Sequence, residues 1–209
     1  MGAAADILDH LGIAEPVDWL GNAWGGHVGI LFAAAYPTRC RTLLAIGTPV
    51  HALSIEELRR IQLLSAVYLG CGARPVLRPL VDALVGPATR IQDPDGAAIV
   101  AAGFRRAGRR GMYDAIRWLS LTRPDLKPVL AGLAVPTLLA TAQDDPMWTV
   151  PAARAAAANL RHGAMTVLPG AGHIGPLLHR AAAAQIAAFW RDPDGTITTQ
   201  RAAISAGRP

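Results

Sequence analysis

The turn segment Gly21–Gly26 has the residue pattern of a backbone built to hold a catalytic nucleophile. A strand-like segment, Val17–Leu20, precedes it, and an apolar helical segment, His27–Tyr36, follows it. Glycines on both sides let the backbone reverse sharply without a clash at Cβ. The pattern is that of the G-x-S-x-G nucleophile elbow, whose serine attacks a carbonyl carbon, but here the central residue is Ala23. A methyl group cannot attack a carbonyl, so the segment predicts a fold and leaves the activity open.

Two later turns carry an acid and a histidine. Gln143–Pro146 contains two adjacent aspartates, and Pro169–His173 ends in the histidine. Each turn follows a predicted buried strand. Because open parallel sheets bind ligands beyond the carboxyl ends of their strands, we expect both turns to lie beside Ala23. An aspartate at such a turn can also cap the following helix or stabilise the turn itself, and the histidine can simply begin a helix.

Strand-like and helix-like segments alternate along the chain, which predicts an α/β fold with a mostly parallel sheet and flanking helices. The strand-like segments are nearly continuous apolar runs, as expected of parallel strands covered on both faces. They lie at residues 17–20, 42–46, 135–140 and 164–168.

The alternation predicts a division into three parts. Residues 1–53 and 128–191 form the α/β core, and residues 54–127 form a helical cap inserted into it. The capping-box pattern Ser54–Glu57 opens the first cap helix. Residues 192–209 are mostly polar, which predicts a disordered tail.

Taken together, these motifs resemble the α/β-hydrolase fold family, of the kind that includes haloalkane dehalogenases, epoxide hydrolases and small esterases. The resemblance covers roughly residues 4–191 and depends mainly on residues 17–27. The Asp-Asp-Pro and Pro-Gly-Ala-Gly-His turns support it at matching positions, in the chain order nucleophile, acid, histidine.

The resemblance implies a role for each site residue. Ala23 takes the nucleophile position, Asp145 the acid position, with Asp144 as the alternative, and His173 the base position. The backbone N–H of Trp24 is implied to be one oxyanion donor. The residues expected to contact a substrate flank the vacant position or follow a strand end: Asn22, Trp24 and His51.

Members of this family normally begin with several strands before the elbow, and a loop after the third strand supplies the second oxyanion donor. This sequence starts near the helix that precedes the elbow strand. The strand at 17–20 is therefore expected at a sheet edge, where an unpaired central strand is unfavourable. Two explanations follow: another chain supplies the missing part, or the sequence is a shortened one.

Three classes of function remain open. The first is a hydrolase acting on a small ester or related molecule, for which Ala23 makes turnover doubtful. The second is a ligand-binding protein that keeps the pocket without the chemistry. The third is proton transfer by the histidine–aspartate pair without a cofactor, as in a lyase or dioxygenase.

The composition restricts the class of protein and the cellular compartment. Hydrophobic residues make up 52% of the chain, yet no apolar run is long enough to span a bilayer, and the N-terminus lacks the order of a signal peptide. Cys40 and Cys71 form neither a disulfide framework nor a metal site. We predict that both are buried and that the compartment is the reducing cytoplasm. We predict no cofactor and no metal.

The net charge of +5 comes almost entirely from arginine. The densest cluster of arginines has two interpretations: it forms a solvated helix face, or it attracts anions. No nucleic-acid motif or aromatic interleaving accompanies it. We therefore predict a small-molecule substrate or ligand as the partner, rather than nucleic acid or a membrane. The cluster consists of Arg105, Arg106, Arg109 and Arg110.

Overall fold

Four parallel strands form a single sheet in the computed structural model, which describes residues 2–206. Their order in the sheet is the same as their order in the chain, which confirms the predicted parallel sheet. The strands are β1 (Val17–Asn22), β2 (Cys40–Ile46), β3 (Thr137–Ala142) and β4 (Gly163–Leu168).

The register brings the carboxyl ends of the four strands to within two residues of one level. Asn22, the last residue of β1, pairs with Ile46, the last residue of β2. Ala142, the last residue of β3, pairs with Leu168, the last residue of β4. Because the strands are parallel, the turns that follow them lie along one edge of the sheet.

The central strands are more deeply buried than the first one. β3 is buried at every position and β2 at all but one, whereas β1 is half-buried over most of its length. β1 lies at the edge of the sheet, as predicted, and β4 lies at the opposite edge.

Helices cover both faces of the sheet. Leu43 and Ala45 of β2 belong to one hydrophobic core, while Leu44 and Ile46 belong to the other, because alternate side chains of a strand point to opposite faces. The first core is covered by α1 (Gly2–His10), α2 (Trp24–Ala35), α8 (Lys127–Gly132) and α9 (Val150–Ala157), and the second by α11 (Arg180–Arg191) and α12 (Pro193–Ser205). A short helix, α10 (Gly175–Leu178), precedes α11.

The segment between β2 and α8 is helical. The capping box predicted at Ser54 is present, since Ser54 Oγ accepts from Glu57 N and Glu57 Oε2 accepts from Ser54 N. The helices of this segment are α3 (Ile55–Cys71), α4 (Leu77–Val85), α5 (Pro87–Gln92), α6 (Pro94–Arg106) and α7 (Arg109–Ala115), followed by a π-helical turn at Ile116–Leu121.

The prediction of a disordered tail at 192–209 is wrong for the residues that the structure describes. α12 begins at an N-cap, Asp192, whose side chain accepts from Gly195 N at 3.0 Å. Two apolar residues seven positions apart hold the helix down: Ile197 is buried and Ile204 packs against the first core. The overall polarity of the segment concealed this pair of contacts. Residues 207–209 lie outside the described part.

The two cysteines differ in their surroundings, so the prediction that both are buried is wrong for Cys71. Cys71, the last residue of α3, is exposed, whereas Cys40 is buried at the start of β2. Burial, with a smaller contribution from the nearby Asp18 carboxylate, raises the pKa of the Cys40 thiol to about 11. Between residues 2 and 206, none of the helices is both long and apolar enough to cross a bilayer.

Arg201 connects α12 to the sheet, and its removal should loosen the tail. Its guanidinium donates to Gly163 O at 2.8 Å, Leu160 O at 3.1 Å and Arg161 O at 3.0 Å. We expect Arg201→Ala to lower the free energy of unfolding by about 1–2 kcal/mol, because these carbonyls lose a charged donor. Urea denaturation measures the effect.

The matched control is Arg180→Ala at the exposed start of α11, which should change the stability by less than about 0.5 kcal/mol. Equal stability losses in the two variants would contradict the anchoring role of Arg201.

Candidate active site

The turn at Ala23 joins β1 to α2 in a conformation that L-residues rarely adopt. Its backbone has φ 47° and ψ −112°, and it is the one residue other than glycine with positive φ between residues 2 and 206. Ala23 N donates to Ile46 O at 2.9 Å, and Ala23 O accepts from Gly26 N at 3.0 Å. Such strain persists where the surrounding structure imposes it, and it concentrates at functional sites.

Glycines make this turn possible. A Cβ on Gly21 would overlap the backbone of Gly25, and a Cβ on Gly26 would overlap the side chain of Thr48. The strand and the helix therefore approach more closely than a residue with a Cβ at either of these two positions would allow. The Trp19 indole N–H donates to Gly25 O at 3.1 Å, which holds the start of α2 against β1.

Asp145 and His173 form a hydrogen-bonded pair, as the sequence predicted. His173 Nδ1 lies 2.9 Å from Asp145 Oδ2 and 3.1 Å from Asp145 Oδ1. The two residues are buried, with relative exposures of 3% for Asp145 and 5% for His173. The carboxylate also accepts from Met147 N at 2.8 Å and Trp148 N at 3.1 Å. A buried carboxylate needs such partners, because an unpaired one costs several kcal/mol.

This pairing determines how the imidazole of His173 can act. A carboxylate accepts hydrogen bonds, so the proton of the neutral ring lies on Nδ1 and the lone pair on Nε2. The ring is thereby oriented as a base whose conjugate acid the carboxylate stabilises. Within residues 2–206, no group of three or more His, Cys, Asp or Glu side chains is arranged to hold a metal ion.

Asn22 and Gly47 bring the strand ends together around this pair. Asn22 Nδ2 donates to Ile46 O at 3.1 Å and to His173 O at 3.3 Å. Gly47 follows β2 with φ 53°, and a Cβ there would lie 3.0 Å from Cε1 and Nδ1 of His173. The imidazole therefore packs against a bare backbone. Asn22 supports the histidine loop, while its predicted contact with substrate stays a prediction.

The helical segment supplies a support for the histidine loop that the sequence did not reveal. His173 N donates to Ala83 O at 3.1 Å, and Ile174 N donates to Leu84 O at 2.7 Å, both near the end of α4. The loop thus depends on main-chain acceptors, which no side-chain pattern encodes.

Asp144, the alternative acid, has a different place. Its Oδ1 accepts from Gly172 N at 2.9 Å, so it fixes the loop that carries the histidine rather than the imidazole. Gly86, at the end of α4, adopts φ 77°, and a Cβ there would come within 2.7 Å of Ala171 Cβ. The Gly86-Pro87 and Gly170–Gly172 sequences are the one signal that two chain segments approach closely here.

Trp24 connects the elbow to the helical segment. Its indole Nε1 donates to Ser120 Oγ at 2.9 Å. Its backbone N–H is the first of α2 and has no acceptor within its own helix. That N–H can therefore donate to an atom outside the helix, as the predicted oxyanion role requires. The role itself stays a prediction.

His51 forms a hydrogen bond with Glu57 rather than with His173. Its Nε2 lies 3.3 Å from Glu57 Oε1 at the start of α3. Burial opposes the charge of Glu57, but hydrogen bonds from Ser54 and His51 outweigh it and lower the pKa of that carboxyl. Substrate contact by His51 stays a prediction.

His27 lies in the first turns of α2 beside the site, and it was not among the predicted site residues. Its Nε2 donates to Pro49 O at 2.8 Å, and its Nδ1 is buried without a hydrogen-bond partner among the described residues. Burial lowers the pKa of His27, and the charges of Arg123 and His173 lower it further, against the opposing effect of the Pro49 hydrogen bond.

A family model and a curated protein match this chain. The alpha/beta hydrolase fold model matches residues 3–179. A poly(3-hydroxyalkanoate) depolymerase from Ectopseudomonas oleovorans is 26% identical over 152 residues, which are 68% of this chain and 49% of that protein. The chain therefore spans about half the length of this curated relative.

Solved structures share the fold. A thermophilic esterase from Thermogutta terrifontis superposes with a TM-score of 0.80 at 23% identity, over 91% of this chain and 70% of that one. The enol-lactonase from Burkholderia xenovorans LB400 gives a TM-score of 0.80 at 20% identity, over 91% of this chain and 71% of that one. At these identities, the likeness concerns the fold alone.

The strain at Ala23 predicts an unusual response to glycine. We expect Ala23→Gly to raise the free energy of unfolding by about 1 kcal/mol, because relief of the positive φ exceeds the added backbone entropy. Ala34→Gly, at an exposed position of α2, should lower it by about 1 kcal/mol. Urea denaturation of both variants distinguishes them. A loss of stability in Ala23→Gly equal to that in Ala34→Gly would show that the turn is unstrained.

His27 predicts an acid-sensitive stability. Its folded pKa lies below its unfolded value of about 6.5, so the folded state disfavours the protonated ring. The neutral ring's contribution is complete above about pH 6.5 and is lost as the pH falls through the folded pKa. We expect His27→Gln, which keeps a donor for Pro49 O, to flatten the fall in stability between about pH 7 and pH 5.

Thermal unfolding across that pH range provides the measurement. His10→Gln, at an exposed position, is the control and should follow the wild type. A pH dependence in His27→Gln as steep as in the wild type would refute the assignment.

Proposed function

Because this chain belongs to the α/β-hydrolase fold family, we propose that the crevice at the strand ends binds a small ester or related carbonyl compound without forming an acyl-enzyme. The carrying observation is the buried bond of 2.9 Å between His173 Nδ1 and Asp145 Oδ2, retained beside an elbow whose central side chain is the methyl group of Ala23. In this proposal, His173 is the base, Asp145 is the acid, and Ala23 leaves the nucleophile position vacant.

The proposed substrate class is supported by the kinds of protein that resemble the chain. Similar proteins are named as an esterase and an enol-lactonase, and a carbonyl oxygen is the group that an elbow N–H can bind. In this proposal, the Trp24 N–H is one donor to that oxygen. Asn22, Trp24 and His51 are the proposed contacts to the rest of the ligand.

The helical segment 54–127 is proposed as a cap over this crevice. Three hydrogen bonds support this role: the Trp24–Ser120 bond at 2.9 Å and the two main-chain bonds that the end of α4 accepts from the histidine loop. A cap of this kind excludes water, which strengthens each polar contact to a bound ligand.

A second function is favoured by the orientation of His173. With Nδ1 bound to Asp145, the Nε2 lone pair can accept a proton from an acidic carbon of the bound compound, and the carboxylate stabilises the imidazolium that forms. Such proton transfer needs no side chain at Ala23. In this second proposal, the same proton returns from Nε2 to the product, so the histidine is regenerated.

Covalent labelling tests the vacant nucleophile. The wild type should give no adduct with a fluorophosphonate probe by intact-mass analysis, because Ala23 has no attacking atom. Ala23→Ser should be labelled once by the probe. It should hydrolyse p-nitrophenyl acetate only slowly, because the loss of one oxyanion donor lowers the rate by about 10²–10³ and the Trp24 N–H is the single donor that we identify.

The control is the double variant Ala23→Ser, His173→Asn, which should lose labelling and turnover because the base is removed. The wild type should still show saturation transfer to p-nitrophenyl butyrate by NMR without release of p-nitrophenolate. A stoichiometric adduct on any serine of the wild type would overturn the proposal.

A further inference from the structure

A groove between α4 and α6 lies on the helical segment, apart from the acid–histidine pair. Its volume is about 770 Å³, which falls within the range of small-molecule sites. The lining residues come from both helices and from the segments before and between them: Arg74, Leu77, Arg78, Val81, Arg90, Pro94, Ala97, Ala98, Ala101 and Arg105.

The floor of this groove is apolar. Leu77 and Val81 are one turn apart on α4, and Ala97 and Ala101 are one turn apart on α6, so each pair lies on one face of its helix. The alanines are small, so the facing helices leave a furrow between them. A linear alkyl chain fits such a furrow and gains about 0.8 kcal/mol for each buried methylene.

The rim of the groove is basic. Its four charged residues are all arginines, and the lining contains no acidic residue. Asp82 pairs with Arg90 at 2.6 Å and lies 4.0 Å from Arg78. Arg74 and Arg105 have no hydrogen-bond or ion-pair partner within the described part of the chain. Two guanidinium groups are thus free to receive an anion above an apolar floor.

The arginines of the basic cluster seen in the sequence differ in whether they line this groove. Arg105 lines it, whereas Arg110 pairs with Asp114 at 3.0 Å and Arg109 donates to Gly70 O at 2.9 Å. Of these three arginines, one faces a cavity and two are bound to the protein itself.

We propose that the groove binds a single-chain amphiphilic carboxylate, such as a medium-chain fatty acid. The alkyl chain lies along the floor formed by α4 and α6, and the carboxylate is bound by Arg74 and Arg105, whose planar guanidinium groups match its two oxygens. Nucleic acid would not use an apolar floor, and the lining has no aromatic residue for base stacking. This proposal goes beyond the proposed function and does not depend on it.

The same helix carries the histidine loop, which gives the site a second effect. The end of α4 accepts the N–H groups of His173 and Ile174, and Ile174 packs against the cluster that contains Val81. A ligand lying on Leu77 and Val81 holds α4 in place. The amides of His173 and Ile174 therefore exchange more slowly with solvent in the ligand-bound protein.

Titration with dodecanoate below its micellar concentration tests the site by isothermal calorimetry. We expect saturable binding with one site per chain. Arg74→Gln combined with Arg105→Gln should weaken it at least about tenfold, since the charge-assisted bonds to the carboxylate are lost. The matched control, Arg59→Gln with Arg60→Gln, removes two exposed arginines from α3 and should bind as the wild type does.

A second variant tests whether the groove itself, and not the positive charge alone, is needed for binding. Ala101→Trp fills the furrow without changing charge and should also abolish binding, while unfolding as cooperatively as the wild type. Dodecanol, which lacks the carboxylate, and inorganic phosphate, which lacks the chain, should each bind at least about tenfold more weakly than dodecanoate.

Several results would overturn the proposal. They are equal losses in the control and the groove variants, equal binding of dodecanol, retained binding in Ala101→Trp, or binding only to vesicles of anionic phospholipid. Unchanged hydrogen exchange at His173 and Ile174 in the saturated protein would overturn the connection to the histidine loop.

Discussion

The parallel register of the sheet determines everything that follows at its carboxyl edge. Asn22 pairs with Ile46 and Ala142 pairs with Leu168, while Ile46 pairs with Ala140, so the four turns begin within two residues of one level. A shift of one residue would turn each strand's side chains to the opposite face. Ala23, Gly47, the aspartate turn and the histidine loop are close in space because the main-chain ladder ends where it does.

The fold was largely predictable because its signals are local. Continuous apolar runs indicated buried parallel strands, and the Ser54–Glu57 pattern indicated the start of a helix; both predictions are confirmed. The tail was mispredicted because α12 depends on contacts made in three dimensions, above all the three carbonyls that Arg201 reaches. A sum over polar residues contains no information about such contacts.

Part of the candidate site was predictable for a similar reason. Asp145 and His173 stand at strand ends in the chain order that suggested a pair, and the structure joins them at 2.9 Å. The support from Ala83 and Leu84 was not predictable, because it uses main-chain carbonyls. His27 was not recognised either, because its importance comes from a ring nitrogen that is buried without a partner in the described chain.

The acid–histidine pair also has a purely structural effect. The Asp145 carboxylate accepts from Met147 N, Trp148 N and His173 Nδ1, so it joins the turn after β3 to the loop after β4. Removing the imidazole would leave a buried carboxylate short of a partner, which is costly in itself. The pair can thus persist through its contribution to folding, and its retention beside Ala23 is compatible with binding as well as with proton transfer.

The hydrogen bond from Asn22 to the carbonyl of His173 has a consequence for the order in which the protein assembles. It joins residues 151 positions apart, whereas the Asp145–His173 bond spans 28. By the logarithmic dependence of loop closure on length, the longer connection costs about 1.5 kcal/mol more in chain entropy. The acid–histidine pair therefore costs less entropy to bring together, while Asn22 reaches the histidine loop only when residues far apart in the chain have met. The complete site thus requires contacts from most of the length of the chain, and the elbow is the part whose connection to the histidine is entropically most costly.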